Sequence, residues 1–316
     1  MDAPLYLSRE ARMLGTDREL RARFERGELL RLRPGVYTSA TAWARLAGDV
    51  RHRLFVRAAA AVSPFGAQFS HESAAALWRL PILGAWPSTA HRLTQPSPGG
   101  TSRVGIRHHG LGLDTHPVEI DGVTVTSLTR TLLDMATSTN FMRAVVTIDD
   151  GLRPPEKGDF RYGEGVEAPT KEELLDLLRL RLSFRGSARA SRAIEFADGR
   201  SGSPRESRFR VQCAALRLPA PELQVEFRDE EGLIGYADFF WPHLGLIVEV
   251  DGAIKYGAGR RYRQDLTPHE LLLREKDRED RMRRVVTDFA RPPARILDDR
   301  RLLGPYLARH GLVPVR

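Results

Sequence analysis

Four carboxylates stand at spacings that could hold a hard cation. Asp238, Glu249 and Asp251 fall in LQVEFRDEEGLIGYADFFWPHLGLIVEVDG, and Glu206 lies in the segment SPRESRFRVQC before it. The long segment reads as a three-stranded antiparallel meander, with one turn at Asp229–Gly232 and another at Pro242–Gly245. With PHLG as a four-residue loop, Trp241 pairs with Leu246, and counting back along both strands sets Asp238 opposite Glu249. Directly opposed residues share a face, their Cβ atoms about 4.5–5.5 Å apart. Asp251 joins that face at period two. Carboxylates gathered in an apolar hairpin are costly unless protonated or neutralised by a cation. Mg²⁺ suits such a site, because it takes one or two carboxylates and keeps several waters. Phe239, Val248 and Val250 give the hairpin an apolar opposite face, and Ile247 is apolar on the acidic side, which argues against a merely solvated acidic hairpin.

The elements around the hairpin would position these groups. Ser203-Pro204-Arg205-Glu206 is a capping-box pattern with proline at the first helical position. Phe209, Cys213 and Leu216 continue the helix as an apolar stripe, with Glu206 at its inner end. Glu206 can cap its helix and serve the site at once. Only four of the 49 basic residues are lysines, and two of them, Lys255 and Lys276, flank the hairpin. Lys276 falls on a helix opening at Thr267-Pro268-His269-Glu270. A lysine can shift its pKa, whereas an arginine keeps its proton.

The rest of the chain divides into blocks. In the first, Ser8 and Thr16–Glu19 read as N-terminal caps of two short helices ended by Gly15 and Gly27. LLRLRPGVYT then reads as a hairpin around Arg-Pro-Gly. This is the order of a winged helix-turn-helix over residues 1–40. Leu20 and Phe24 would face the core, leaving Arg18, Arg21, Arg31 and Arg33 for phosphate contacts. The second block, 41–152, mixes α and β, beginning with a long helix over Trp43–Val62 and including strands in HRLTQP and GVTVTS. His71, His108 and His109 complete no ligand spacing and read as hydrogen-bonded structural histidines. A linker and two helices, Thr170–Leu182 and Ser187–Ala197, occupy 153–200. The net charge of +8 points to a polyanionic partner. The single cysteine, Cys213, excludes an internal disulfide framework and a Cys-rich zinc site. With no signal-peptide pattern and no long apolar run, a cytoplasmic protein without membrane contact is expected.

An acidic helix residue, a strand Asp, then Glu-x-(Lys or variant) on the next strand resembles the PD-(D/E)XK restriction-endonuclease-like superfamily. Within it, ADFFWP…LIVEVDG…K and EKDREDRM look like the branch near very-short-patch-repair endonucleases. The resemblance implies an αβββαβ domain over 201–316, binding Mg²⁺ (or Mn²⁺) through Glu206, Asp238 and Glu249. Asp251 stands where the motif's lysine usually stands, so Lys255 or Lys276 would replace it. The first 150 residues resemble, through DRELRARFERGELLRLRPGVYT and SHESAAALWRLPILG, the AbiEi-type antitoxin-like regulators. The expected fold class is α+β: winged helix, mixed middle domain and nuclease-like domain. The expected function is a DNA-binding, Mg²⁺-dependent endonuclease; the alternative is a non-enzymatic regulator or antitoxin with DNA and a cognate toxin as partners. No Gly-Ser loop with paired aspartates supports a nucleotidyltransferase.

Overall fold

A tight Pro34-Gly35 turn, with Gly35 at φ +79°, folds β2 (Leu29–Arg33) back on β3 (Val36–Ser39) as the hairpin pattern predicts. In the computed structural model, which describes residues 3–96, 104–155, 166–181, 186–250 and 267–315, a further strand, β1 (Leu5–Leu7), joins β3 to give the order β1-β3-β2. Helices α1 (Ser8–Met13) and α2 (Asp17–Glu25) intervene between β1 and β2. The expected caps differ. Leu7, not Ser8, is the N-cap of α1, and the Thr16 hydroxyl donates to the Ala11 carbonyl instead of accepting from its own helix. The helix expected over Trp43–Val62 is two helices, α3 (Ala40–Arg45) and α4 (Gly48–Ala60). Leu46 and Ala47 between them are extended, and Asp49 sits in the first turn of α4, where a carboxylate favours a fresh start. The Arg51 guanidinium takes up the Trp43 and Ala44 carbonyls released by the break.

The chain continues through α5 (His71–Leu77), β4 (Ala90–Leu93), β5 (Ile106–His109), β6 (Val118–Ile120), β7 (Val123–Val125) and α6 (Leu128–Ser138). Strands β4 and β5 pair in parallel, β6 and β7 antiparallel, and Phe69 bridges both Arg92 and Val125. Then follow α7 (Phe141–Gly151), α8 (Lys171–Leu180) and α9 (Ser187–Phe196). The molecule is mixed α/β and forms two compact units. One comprises Met1–Thr139 and Glu172–Ser191, the other Asn140–Lys171 and Arg192–Arg316.

The second unit is built on a four-stranded sheet of order β11-β10-β9-β8: β8 (Glu222–Asp229), β9 (Gly232–Trp241), β10 (Leu246–Val248) and β11 (Asp288–Ala290). Helix α10 (Pro204–Ala215) precedes β8, with Ser203 accepting from the Glu206 amide and proline in the first turn, as the capping pattern predicts. A 3₁₀ turn, Pro242–Leu244, closes β9 onto β10, ending at Gly245. That glycine is required, since its φ is +57° and an added Cβ would collide with Thr287. Leu246 pairs with Trp241, the register expected from the loop length. Helix α11 (Pro268–Val285) then crosses to β11, which runs parallel to β10. Helices α12 (Ala294–Leu297) and α13 (Arg300–Ala308) follow.

The pleat sorts the side chains of this sheet into two cores. Phe239, Trp241, Leu246, Val248 and Ala290 pack with Phe209 and Cys213 of α10 and with Leu303 and Leu307 of α13. Ile247, Phe289 and Phe240 pack on the other face with Met282 of α11. Helix α7 is tied to α10 by a buried bidentate ion pair, Arg210 Nη2 donating to both oxygens of Asp149 at 2.9 and 2.7 Å. Among the described residues no helix is long and apolar enough to cross a membrane.

Candidate functional site

Glu206 and Asp238 are both buried, 0% and 2% exposed, and they share one hydrogen-bond donor. Gln224 Nε2 lies 3.3 Å from Glu206 Oε2 and 3.4 Å from Asp238 Oδ1. Glu206 also accepts from the Gly202 amide at 2.7 Å and the Ser203 hydroxyl at 3.0 Å, so it steadies the entry to α10 from within. Asp238 Oδ2 accepts from the Val250 amide at 3.0 Å. Gln224 holds its place at a backbone cost: φ is +51°, a left-handed conformation in mid-strand for a residue with a side chain. Sequence reasoning missed this glutamine, because nothing in LQVEF announces a left-handed residue. The register offers a signal in hindsight, since the pairing of β8 with β9 sets Gln224 opposite Asp238.

One step beyond the end of β10, the same register carries Glu249 opposite Asp238. Glu249 is 4% exposed, its amide donating to the Ala290 carbonyl. Arg278 of α11 donates to it from Nη2 at 3.1 Å and Nη1 at 3.4 Å, and also binds Glu275. Lys276 lies exposed, two positions and about 200° round the helix from Arg278. The cation α11 brings to Glu249 is therefore Arg278, not Lys276. Asp251 and Lys255 lie outside the described residues. The terminal segment RRVVTDFARPP does supply the parallel strand β11, followed by Arg291, which pairs with Glu275 and Glu279.

The donor chemistry at Glu206 and Asp238 is oxygen-only, and two carboxylates completed by water suffice for Mg²⁺. Buried negative charge of this kind is costly unless a cation offsets it. Glu249 is paired with Arg278. Among the described residues, the group of three Asp, Glu, His or Cys side chains with ligand atoms all within 4.8 Å of one another is His71, His91 and His109, in the first unit. Glu206, Asp238 and Glu249 are thus neighbours without converging that tightly. The residues present fit Mg²⁺ through Glu206 and Asp238.

The proposed DNA-contacting arginines divide. Arg18, Arg21 and Arg31 are exposed, and Arg21 stands 3.9 Å from Asp17. Arg33 is half-buried and donates to the Val104 carbonyl, so it does not share their open surface. Beneath α2, Leu20 is buried, whereas Phe24 is 39% exposed, its ring edge-on to Tyr37. The helix itself carries three acids, Asp17, Glu19 and Glu25, beside Arg18, Arg21 and Arg23.

No protein-family model matches the chain. It is similar to an uncharacterized protein of Mycobacterium tuberculosis, found in strains H37Rv and CDC 1551. The identity is 28% over 199 residues, 60% of this chain. The match spans 63% of the relatives' own length. The similarity adds no activity to the reading of the site.

Proposed function

We propose that the chain binds DNA and hydrolyses its phosphodiester backbone at the Glu206–Asp238 pair, with Mg²⁺ as cofactor. The observation that carries this reading is the pair itself: two buried carboxylates joined through the strained Gln224, with Glu249 across from Asp238. The order helix, three antiparallel strands, helix, parallel strand from α10 to β11 supports it, being the αβββαβ order of restriction-endonuclease-like domains. Glu206 and Asp238 would hold the ion. When bound, it supplies a lowered pKa for the attacking water and charge stabilisation at the phosphate. Arg278 would fix the Glu249 carboxylate, and Lys255 is the lysine proposed to stand near the phosphate. Arg18, Arg21 and Arg31 are the proposed phosphate contacts of the N-terminal helices, in keeping with the net charge of +8.

One observation favours a second reading, a regulator that binds DNA or a cognate toxin without cutting. Both oxygens of Glu249 are engaged by Arg278, which leaves the acid less able to serve an ion. The two readings separate in a nicking assay on supercoiled plasmid with Mg²⁺ or Mn²⁺, and with chelator. The enzyme reading expects metal-dependent nicking that Asp238→Asn abolishes while duplex binding by gel shift survives. Tight binding of a duplex with no cleavage under either ion would sink the enzyme reading and leave the regulator. Replacing Arg18, Arg21 and Arg31 together should weaken binding and flatten its salt dependence.

A further inference from the structure

Three histidines far apart in sequence meet in the first unit. His71 opens α5, His91 lies on β4 and His109 ends β5. The parallel register pairs His91 with Arg107, and His109, two residues on, returns to the same face. The Ser70 amide donates to the His91 carbonyl at 3.0 Å, and the His91 amide to the Ser73 hydroxyl at 2.8 Å, which seats α5 against that strand. The His71 and His109 rings stack 3.7 Å apart, and His91 lies 5.8 and 5.1 Å from them by ring centroid. One nitrogen of each ring lies within 4.8 Å of the other two.

The spacing of one nitrogen pair suits two ligands of a single ion. His109 Nε2 and His91 Nδ1 are 3.3 Å apart. Two nitrogens at about 2.0–2.1 Å from one tetrahedral zinc ion would be separated by roughly that distance. His71 Nδ1 is taken up by the Ser70 hydroxyl at 2.9 Å, with Asp134 Oδ2 behind it at 3.7 Å, which leaves Nε2 for an ion. Asp134 is fully buried, and its Oδ2 has no hydrogen-bond partner. A hydrogen-bond partner behind a ligating imidazole fixes its tautomer and orientation, and here that partner is the Ser70 hydroxyl. His71 also holds φ at +51°, a backbone strain of the kind that accumulates where geometry serves a function. Glu72 Oε2 lies 3.2 Å from His91 Nδ1.

We propose that His71, His91 and His109 form a binding site for a zinc-class divalent transition-metal ion, distinct in donor chemistry from the carboxylates of the other unit. Imidazole nitrogen suits zinc, copper or nickel, while Mg²⁺ prefers oxygen. The ion would pin α5, β4 and β5 together, with the remaining coordination position open to water or Glu72.

The test uses the full chain, stripped with chelator and titrated with Co²⁺ and with Zn²⁺. One equivalent of Co²⁺ should bind with the visible absorption of a low-coordinate ion, and Zn²⁺ should displace it. No thiolate charge-transfer band should appear, since Cys213 is buried. His109→Ala, at a partly exposed position, should weaken binding by more than about 100-fold, because even groups behind a ligand are worth about 10–100-fold. His109→Asn keeps a polar group should the alanine variant fold poorly, and circular dichroism checks both. His116→Ala, an exposed histidine outside the cluster, should bind as wild type does. The Glu206→Gln/Asp238→Asn double variant should do so too, which separates this site from the proposed nuclease centre. Absence of saturable binding in the wild type, or unchanged affinity in both His109 variants, overturns the proposal. So does loss of binding in the carboxylate double variant with retention in His109→Ala.

Discussion

Replacing Gln224 by glycine and, separately, by alanine isolates what that residue contributes. Both variants delete the amide that joins Glu206 to Asp238. Hydrogen bonds to charged groups contribute about 1.5–3 kcal/mol each, but separations of 3.3 and 3.4 Å lie at the long end of the useful range. Glu206 also keeps the Gly202 and Ser203 donors, and Asp238 keeps the Val250 amide. A shared loss of about 2–3 kcal/mol is therefore expected, at or below the low end of the about 3–6 kcal/mol that two such bonds would give at good geometry. The variants then diverge through the backbone. At φ +51° an L-residue gives up about 1–2 kcal/mol that glycine does not. Glycine gives back about 0.5–1 kcal/mol in extra chain entropy. Gln224→Gly should thus be the more stable of the two by about 0.5–1 kcal/mol, the reverse of the usual order in a strand. Hydrogen exchange of peptides covering β8 and β9 through a urea series reads this unit without interference from the other. Adding Mg²⁺ should restore protection in both variants, since a cation can take the place of the amide between the two acids. Equal stability, or alanine above glycine, would show that the left-handed conformation is not a held strain.

Asp149→Ala should destabilise the second unit by about 3–5 kcal/mol, because it strands the Arg210 guanidinium without its partner in the interior; the apolar pair Asp149→Leu/Arg210→Met should recover most of this in chemical denaturation, and a small cost for the single variant would contradict the pairing. The first unit should lose stability as pH falls from about 6.5 toward about 4. Burial depresses His52 and His109 to about 4, and His71 further, so all three stay neutral when folded and charge when unfolded. Their stabilisation is complete above the unfolded value and is lost as pH drops through the folded one. For His52, 3% exposed, the loss is on the order of 3 kcal/mol. Asp134, raised to about 7 by burial against the pull of Arg130, acts in the opposite sense across this whole window, but one carboxyl does not outweigh three imidazoles. Melting curves between pH 7.5 and pH 4 read the slope; a flat profile would mean that the histidines are not buried neutral.

Local rules carried the parts of the chain whose partners are close in sequence. Ser203-Pro204 with Glu206, and Thr267-Pro268 with Glu270, are caps in the structure because the donor and acceptor lie within one turn. The Trp241–Leu246 register follows from loop length for the same reason. Thr16 and Ser8 show the limit: the same letters were available, but tertiary contacts to Ala11 and the β1 strand took the local groups elsewhere. What required the whole fold was not legible. Lys276 and Arg278 are two letters apart, and only the docking of α11 decides which reaches Glu249. His91 could not be joined to His71 and His109 without knowing that β4 and β5 run in parallel. Gln224 carries its information in a backbone angle that no side-chain pattern records.

The two candidate centres make different demands on the same solution, and that difference keeps them separable. Buried carboxylate oxygens favour a small, strongly hydrated ion that retains its waters, whereas clustered imidazoles favour a softer ion that gives them up. Mg²⁺ at millimolar levels should therefore leave the histidines unaffected, while Zn²⁺ supplied at one equivalent should be drawn first to nitrogen. If nicking requires Mg²⁺ and persists in His109→Ala, the carboxylates carry the chemistry and the histidines hold the first unit together. If nicking instead vanishes in His109→Ala and survives Asp238→Asn, the hydrolytic role moves to the histidine cluster. The Glu206–Asp238 pair, with its strained glutamine, would then be left needing another explanation.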